Sequence, residues 1–326
     1  MLKRRDVLAL TGVSALAAVL PRGALAQGAA APLNFGYQNT SWGTIGMVAE
    51  AQDLFKKAGG NVTVYRFDGG KAARDAMISG RLDIGVLGST PFVVGAAKGD
   101  MVAIGISMYA GSSDSIVAAK NKGIKTIADL KGRKVASQIG SATDHVFQDK
   151  ILPKFGLTRN DVHVVNIPHQ NHIAALASGS VDAFAGVEPF PTLAEVDGLG
   201  EVLVDYSQFD ILPVILTANR PVIEGKRDAV IAFLRGWLAA VKLYKDDQAK
   251  AAKIVFDHFN AMGFTVSEAV IKRMLPKLDV NPQFIPALKG YLDAEAQQLI
   301  KQHAITAVPD WDKLLNTELM HEAMKA

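Results

Sequence analysis

One unit occurs twice in the chain, and it constrains the fold more than any other feature. "DAMISGRLDIGVLGSTPF" runs from Asp75 to Phe92, and "AALASGSVDAFAGVEPF" runs from Ala174 to Phe190. Each reads as a helix end, a Ser-Gly turn, an aliphatic residue followed by Asp, a short apolar strand and a closing Pro-Phe. Ser79-Gly80 answers Ser178-Gly179, Asp83 answers Asp182, and Pro91-Phe92 answers Pro189-Phe190. A strand with no polar face has to be covered on both sides, which is the situation in a parallel sheet flanked by helices. Two widely spaced copies predict two such sheets.

The surrounding sequence alternates accordingly. "LNFGYQ" (Leu33–Gln38), "NVTVYRF", "LDIGVLG" and "MVAIGISMY" read as strands, separated by the helical stretches "TSWGTIGMVAEAQDLFKKAGG", "GKAARDAMISG" and "PFVVGAAKG". Thr40 or Ser41 is the expected N-cap of the first helix and Gly59-Gly60 its stop. The same grammar restarts after Lys125, with "RKVASQIG", "DVHVVNI" and "SVDAFAGV" as strands and "SATDHVFQDKILPKFG" and "QNHIAALASG" as helices. After the strand "LPVILTANR" the chain turns helical, with i, i+3, i+4 apolar spacing in "KRDAVIAFLRGWLAAVKLYKDD" and the helices beyond it. No Gly/Pro/Ser linker precedes these helices, so they are expected to pack on an existing domain.

The fold class predicted is α/β with two lobes, each a mostly parallel sheet flanked by helices, joined by two hinge strands. The outward crossing is placed near Tyr109–Ala118 and the return near residues 204–216. Lobe 1 then comprises residues 32–112 and 214–326, including the C-terminal helices, and lobe 2 comprises residues 113–213.

Residues 1–26 stand apart. Lys3, Arg4 and Arg5 precede an apolar run from Val7 to Leu20 and the small-residue ending Ala24-Leu25-Ala26, the pattern of a cleavable export signal. The Arg4-Arg5 pair resembles a twin-arginine signal. This stretch holds four basic residues against Asp6, so it carries the whole of the chain's net +3. The remainder is neutral, giving no electrostatic reason to expect nucleic acid or an anionic membrane as partner. A chain with no cysteine has no disulfide staple and no thiolate chemistry. At 49% hydrophobic residues it can instead rest on a large core.

Open parallel sheets bind ligands beyond the carboxyl ends of their strands, where helix N-termini offer free N–H groups. Those ends carry Gln38, Ser41 and Trp42 after the first strand, and Ser89 and Thr90 after "LDIGVL". Ser141, Ala142 and Thr143 follow "KVASQI", and Glu188 follows "SVDAFAGV". Most are neutral donors suited to a small anion. Ser141 and Thr143 also suit plain helix capping, and Trp42 suits a core position. Asp83 and Asp182 fall at strand starts, on the far side from this cleft, and read as turn and cap residues.

No nucleophile elbow and no dinucleotide fingerprint is present, and "GGKAARD" lacks the Ser or Thr of a phosphate loop after Lys71. His169 and His172 lie three apart without an accompanying carboxylate, and His145 is elsewhere in the same half. No metal, no cofactor and no catalysis is expected.

Together, "LNFGYQ", "ISGRLDIGVLGSTP", "TIADLKGRKVASQIGSATDHVF" and "LASGSVDAFAGVEPF" resemble the periplasmic substrate-binding proteins of the aliphatic sulfonate, taurine and nitrate ABC importer class. The resemblance extends from about Pro32 to the C-terminus. It implies the type II periplasmic-binding-protein fold, a ligand enclosed by hinge closure, a periplasmic monomer, and delivery to a membrane permease and, through it, its ATPase. It places ligand-lining loops at Gln38–Trp42, Ser89-Thr90, the hinge-proximal Ser112-Ser113, Ser141–Thr143 and Glu188. Phe184 and Val187 stand where sulfonate and taurine binders commonly carry a tryptophan, which leaves open a carboxylate or a nitrogen heterocycle. A pyrimidine or thiamine-precursor binder is the alternative, followed by an enzyme of the same fold.

Overall fold

The computed structural model describes residues 30–325; the export signal expected at residues 1–26 lies outside the described residues. The described strands are β1 (Pro32–Gln38), β2 (Asn61–Phe67), β3 (Ile84–Gly88), β4 (Met101–Tyr109), β5 (Asp114–Ala119), β6 (Lys134–Ser137), β7 (His163–Asn166), β8 (Ala183–Val187), β9 (Gly200–Asp205) and β10 (Pro213–Asn219). They form two five-stranded sheets, ordered β2-β1-β3-β10-β4 and β7-β6-β8-β5-β9. The two orders are the same pattern. In each, three strands are mutually parallel and the fourth position runs antiparallel to both neighbours. That antiparallel strand is the first one laid down after the chain arrives from the other sheet, β5 after β4 and β10 after β9.

The duplicated sequence unit builds equivalent pieces of the two sheets. Gly80 and Gly179 both take φ of +71°, a left-handed turn that favours glycine. Asp83 then accepts the Asn34 N–H at 2.7 Å, and Asp182 accepts the Lys134 N–H at 3.0 Å. Each aspartate so ties the start of its own strand to the start of the parallel neighbour. A lysine stands beside each carboxylate, Lys226 at 3.6 Å from Asp83 and Lys122 at 3.0 Å from Asp182. These are turn and cap residues, as their strand-start positions predict.

The core of the first lobe is aromatic. Phe55 and Phe233 stack with centroids 4.7 Å apart, and Phe35 on β1 meets Phe233 at 4.9 Å and Trp237 at 5.9 Å. Phe233 and Trp237 belong to the helix Arg227–Asp246, whose buried stripe lies on the helix Thr44–Ala51. Aromatic pairs of this kind add about 0.5–1.5 kcal/mol beyond their burial. The C-terminal helices pack largely on this lobe, but the helix Glu268–Met274 also meets Phe190–Val196 of the other, where Arg273 pairs with Glu195 at 2.5 Å.

Two local expectations change. The helix expected from Thr40 or Ser41 begins as a short 3₁₀ turn, Ser41–Gly43, and becomes α-helical only at Thr44. Neither Thr40 nor Ser41 caps it through a side chain, and the Ser41 N–H is turned to the other lobe. That helix also breaks at Asp53, whose φ is +51°. Beyond Ser141, the helix contains a π turn over Phe147–Ile151. This wider turn carries Asp149 and Lys150, both of which make contacts outside the helix.

Candidate ligand-binding cleft

The loops at the carboxyl ends of the two sheets face one another, and the lobes touch there. The Ser41 N–H donates to the Glu188 carbonyl at 2.8 Å, a backbone hydrogen bond between loops of different lobes. Next to it, the Trp42 indole N–H donates to Asp114 Oδ1 at 3.1 Å. Thr143 donates to Asp114 Oδ2 at 2.6 Å, and the Ser113 hydroxyl lies 3.4 Å from Oδ1 while donating to the Ala110 carbonyl at 3.1 Å. Trp42, Ser113 and Thr143 therefore converge on one carboxyl group. Asp114 is fully buried.

Burial pushes the Asp114 carboxyl well above the usual carboxylate range. The hydrogen bonds from Thr143, Trp42 and Ser113 pull the other way, and the neighbouring Glu188 raises it further.

Gly88 makes this packing possible. A Cβ at that position would stand 2.8 Å from the Trp42 ring and 2.9 Å from the Ala142 Cβ. The Trp42 indole thus slides over the end of β3, and Ala142 of the other lobe approaches the same glycine. Only a residue without a side chain fits between them.

Glu188 has a different set of partners. Lys277 Nζ lies 2.5 Å from its Oε1, and the Thr192 hydroxyl donates to the same oxygen at 2.7 Å. Lys277 follows the helix Glu268–Met274, so this ion pair also joins the two lobes. A third connection gathers at the return crossing. Asp210 pairs with Lys150, accepts the Tyr291 hydroxyl at 2.8 Å, and Tyr291 in turn lies 3.4 Å from the Ser89 hydroxyl.

The remaining expected residues are placed as follows. Gln38 donates its side-chain amide to the Val86 carbonyl at 3.3 Å. Thr90 donates to Glu295. Ser141 accepts the Asp144 N–H at 3.1 Å, so it is a helix N-cap. Ser112 is exposed in the turn Gly111–Ser113 and stands apart from the cluster. Ser41 is buried, and its hydroxyl has no protein partner.

Thr90 and Ser141 open onto a cavity of about 410 Å³ at the mouth of the cleft. The first lobe contributes Lys71, Arg74 and Lys98 to its wall and the second Asp144, His145 and Arg159, with the helix end near Gln302 closing it. The His145 Nδ1 lies 2.8 Å from Asp149, which holds Arg159 through two bonds of 2.6 Å. His169 and His172 are elsewhere. Both are buried, edge-to-face at 5.2 Å, and burial keeps both neutral, His172 pushed down to about 4. Among the described residues, no group of three or more His, Asp or Glu is placed to hold a metal ion.

Asp114 and Lys277 are the central residues that the sequence reading passed over. Asp114 directly follows the Ser112-Ser113 pair that was singled out, and a lone acid opening an apolar strand at a crossing is a usable signal. Lys277 had none, since its helical neighbourhood displayed only amphipathic spacing.

Two α/β sheets of matching topology, two crossings and a polar cleft between them define a two-lobed binding-protein fold. The chain belongs to the NMT1-like family, whose sequence profile matches residues 26–256. An Escherichia coli relative named for aliphatic sulfonate binding is 32% identical over 211 residues, which is 64% of this chain and 64% of the relative's own length. A Bacillus subtilis relative with the same name is 29% identical over 227 residues, 69% of this chain and 68% of the relative. Among solved structures, the alkanesulfonate-binding protein SsuA from Xanthomonas axonopodis pv. citri, bound to MOPS, superposes with a TM-score of 0.76 at 23% identity. That superposition covers 87% of this chain and 97% of the other, and it shows the type II periplasmic-binding-protein fold.

Proposed function

We propose that this chain is an exported solute-binding protein of an ABC importer, which captures a small organic anion of the sulfonate or taurine type between its lobes without transforming it. The observation that carries the reading is the convergence of Trp42, Ser113 and Thr143 on Asp114, beside the Ser41–Glu188 bond, at the one place where both sheets present their carboxyl ends. Ligands of open sheets sit at such ends. The names of the relatives point to the same solute class.

The hinge follows from the two crossings. Lobe 1 is taken as residues 32–112 with 214–326, and lobe 2 as residues 113–213. A ligand touching both loop sets favours the closed state by the contacts it makes only there. The permease then reads the closed form, in the periplasm, from a monomer. Ser41 and Trp42 on one side, with Ser113, Ala142 and Thr143 on the other, are the ligand-facing set; Thr90 and Ser141 line the way in.

A thermal-shift series with the chain lacking residues 1–26 tests this, using ethanesulfonate, taurine, nitrate, acetate and an aminopyrimidine as probes. A sulfonate should raise the midpoint progressively with concentration, by about 2.7 kcal/mol of stability at a hundredfold excess over Kd. A response to the aminopyrimidine alone would replace the anion with a heterocycle.

A further inference from the structure

We propose that the cavity at the cleft mouth is a subsite for a second negative charge, so that the preferred ligand is an elongated dianion with an anionic group at each end. This rests on the reading of the cleft as the site of a small organic anion.

The charges around the cavity support it. Four permanent cations line it, Lys71, Arg74, Lys98 and Arg159, against a single carboxylate, Asp144. Asp144 is turned inward, accepting from the Gly140 N–H at 3.1 Å and the Gln148 amide at 2.7 Å. Arg159 is held by Asp149 and Arg74 by its neighbour Asp75 at 2.7 Å. Lys71 and Lys98 have no carboxylate within ion-pair distance among the described residues. They stand near the start of one helix, Gly70–Ile78, and at the end of the next, Ser89–Lys98, so two uncompensated cations face the second lobe's Arg159 across the gap.

Size agrees with an organic ligand. About 410 Å³ lies within the range of roughly 300–1,000 Å³ typical of small-molecule sites, and it far exceeds what a compact inorganic anion fills. At the inner end, Ser141 accepts the Asp144 N–H, which leaves its own hydroxyl proton available to a ligand. One anionic group then sits toward the loops around Trp42 and Thr143, and the other among Lys71, Lys98 and Arg159. Because both lobes supply the cations, the second group also favours closure.

Exposed cations act through a screened field, with a Debye length of about 10 Å at 0.1 M salt and about 3 Å at 1 M. The preference for a dianion should therefore depend on salt.

Calorimetric titration with propane-1-sulfonate, 3-sulfopropanoate and taurine tests the proposal, since the three differ chiefly in the charge at the far end. At low salt the dianion should bind about tenfold more tightly than the monoanion. That ratio should fall toward unity at about 1 M salt and in the double variant Lys71→Ala/Lys98→Ala, whose fold is checked by its melting midpoint. Equal affinities, tighter binding of taurine, or a dianion preference that survives the double variant would overturn the subsite while leaving the cleft as an anion site. Binding of none of the three would overturn both.

Discussion

The Trp42 indole N–H donates to Asp114 at 3.1 Å, linking the loop after β1 of one lobe to the first residue the chain places in the other sheet. Trp42 thus works at both ends of its ring. Its nitrogen reaches the hinge-proximal acid while its carbocycle packs over Gly88. Replacing Trp42 by Phe keeps most of the packing and removes the donor. The net value of one such hydrogen bond, about 1 kcal/mol, should appear as a roughly fivefold weaker affinity for the sulfonate probe in a titration.

Gly88→Ala tests the packing side of the same contact. The new methyl group would meet the Trp42 ring and the Ala142 Cβ below 3 Å, closer than such contacts occur. Overpacking of this kind costs about 1–3 kcal/mol. The contact with the Trp42 ring lies within one lobe and persists in both forms, while the contact with Ala142 falls on the closed form. Affinity should drop several-fold, and the melting midpoint should fall as well, because opening relieves only the contact with Ala142.

Lys277 and Glu188 form the ion pair that joins the lobes, with the carboxylate fully buried and the lysine about a quarter exposed. Lys277→Met leaves Glu188 its bonds from Thr192 but strands part of its charge in the closed state. Opening lets water reach that charge. The variant should lean toward the open form, seen as a larger radius of gyration in solution scattering, with ligand affinity lowered by about 1–2 kcal/mol.

Asp114 gives a signed pH dependence. Its pKa is raised by burial, so between its ordinary value and the elevated one the folded chain holds a proton that the unfolded chain has released. Stability from this group is fully present below the ordinary value and is lost as pH rises through the elevated one. Asp114→Asn should abolish that decline, giving a flatter melting midpoint as pH rises above the ordinary carboxylate range. A variant as pH-dependent as the parent would contradict the assignment.

His172 acts in the opposite sense and in another window. Burial lowers it to about 4, from 6.5 in the unfolded chain, so stability is fully present above 6.5 and is lost as pH falls toward 4. A shift of that size is worth about 3 kcal/mol once pH is below the folded value. His169 adds to it with the same sign. His172→Gln should flatten the acid limb of the midpoint-versus-pH curve in that interval.

The architecture was readable because period and punctuation are local properties. The Ser-Gly…Asp units produced two equivalent strand starts, and apolar runs such as "IGVLG" and "AFAGV" became central buried strands. The cleft was only half readable. Trp42, Thr143 and Glu188 were singled out from their place after strands, a rule that depends on chain order alone, and Ser113 came only with the family resemblance. Asp114 took its role from three donors brought in from positions 42, 113 and 143, and Lys277 from an acid 89 residues away. Pairings of that range follow from how the lobes meet, which no window of sequence records. The basic cavity was hidden for the same reason, since Lys71, Lys98 and Arg159 are ordinary surface residues until the lobes come together.

Hinge closure on ligand is most directly measured as a distance between lobes. The cysteine-free sequence allows one label on each, at Ser79→Cys and Ser178→Cys, the exposed equivalent turns of the duplicated unit. Pulsed electron resonance on the doubly spin-labelled chain should show a distance distribution that narrows and shifts when ethanesulfonate or 3-sulfopropanoate is added to saturation. An identical distribution with and without a ligand that titration shows to be bound would contradict capture by closure.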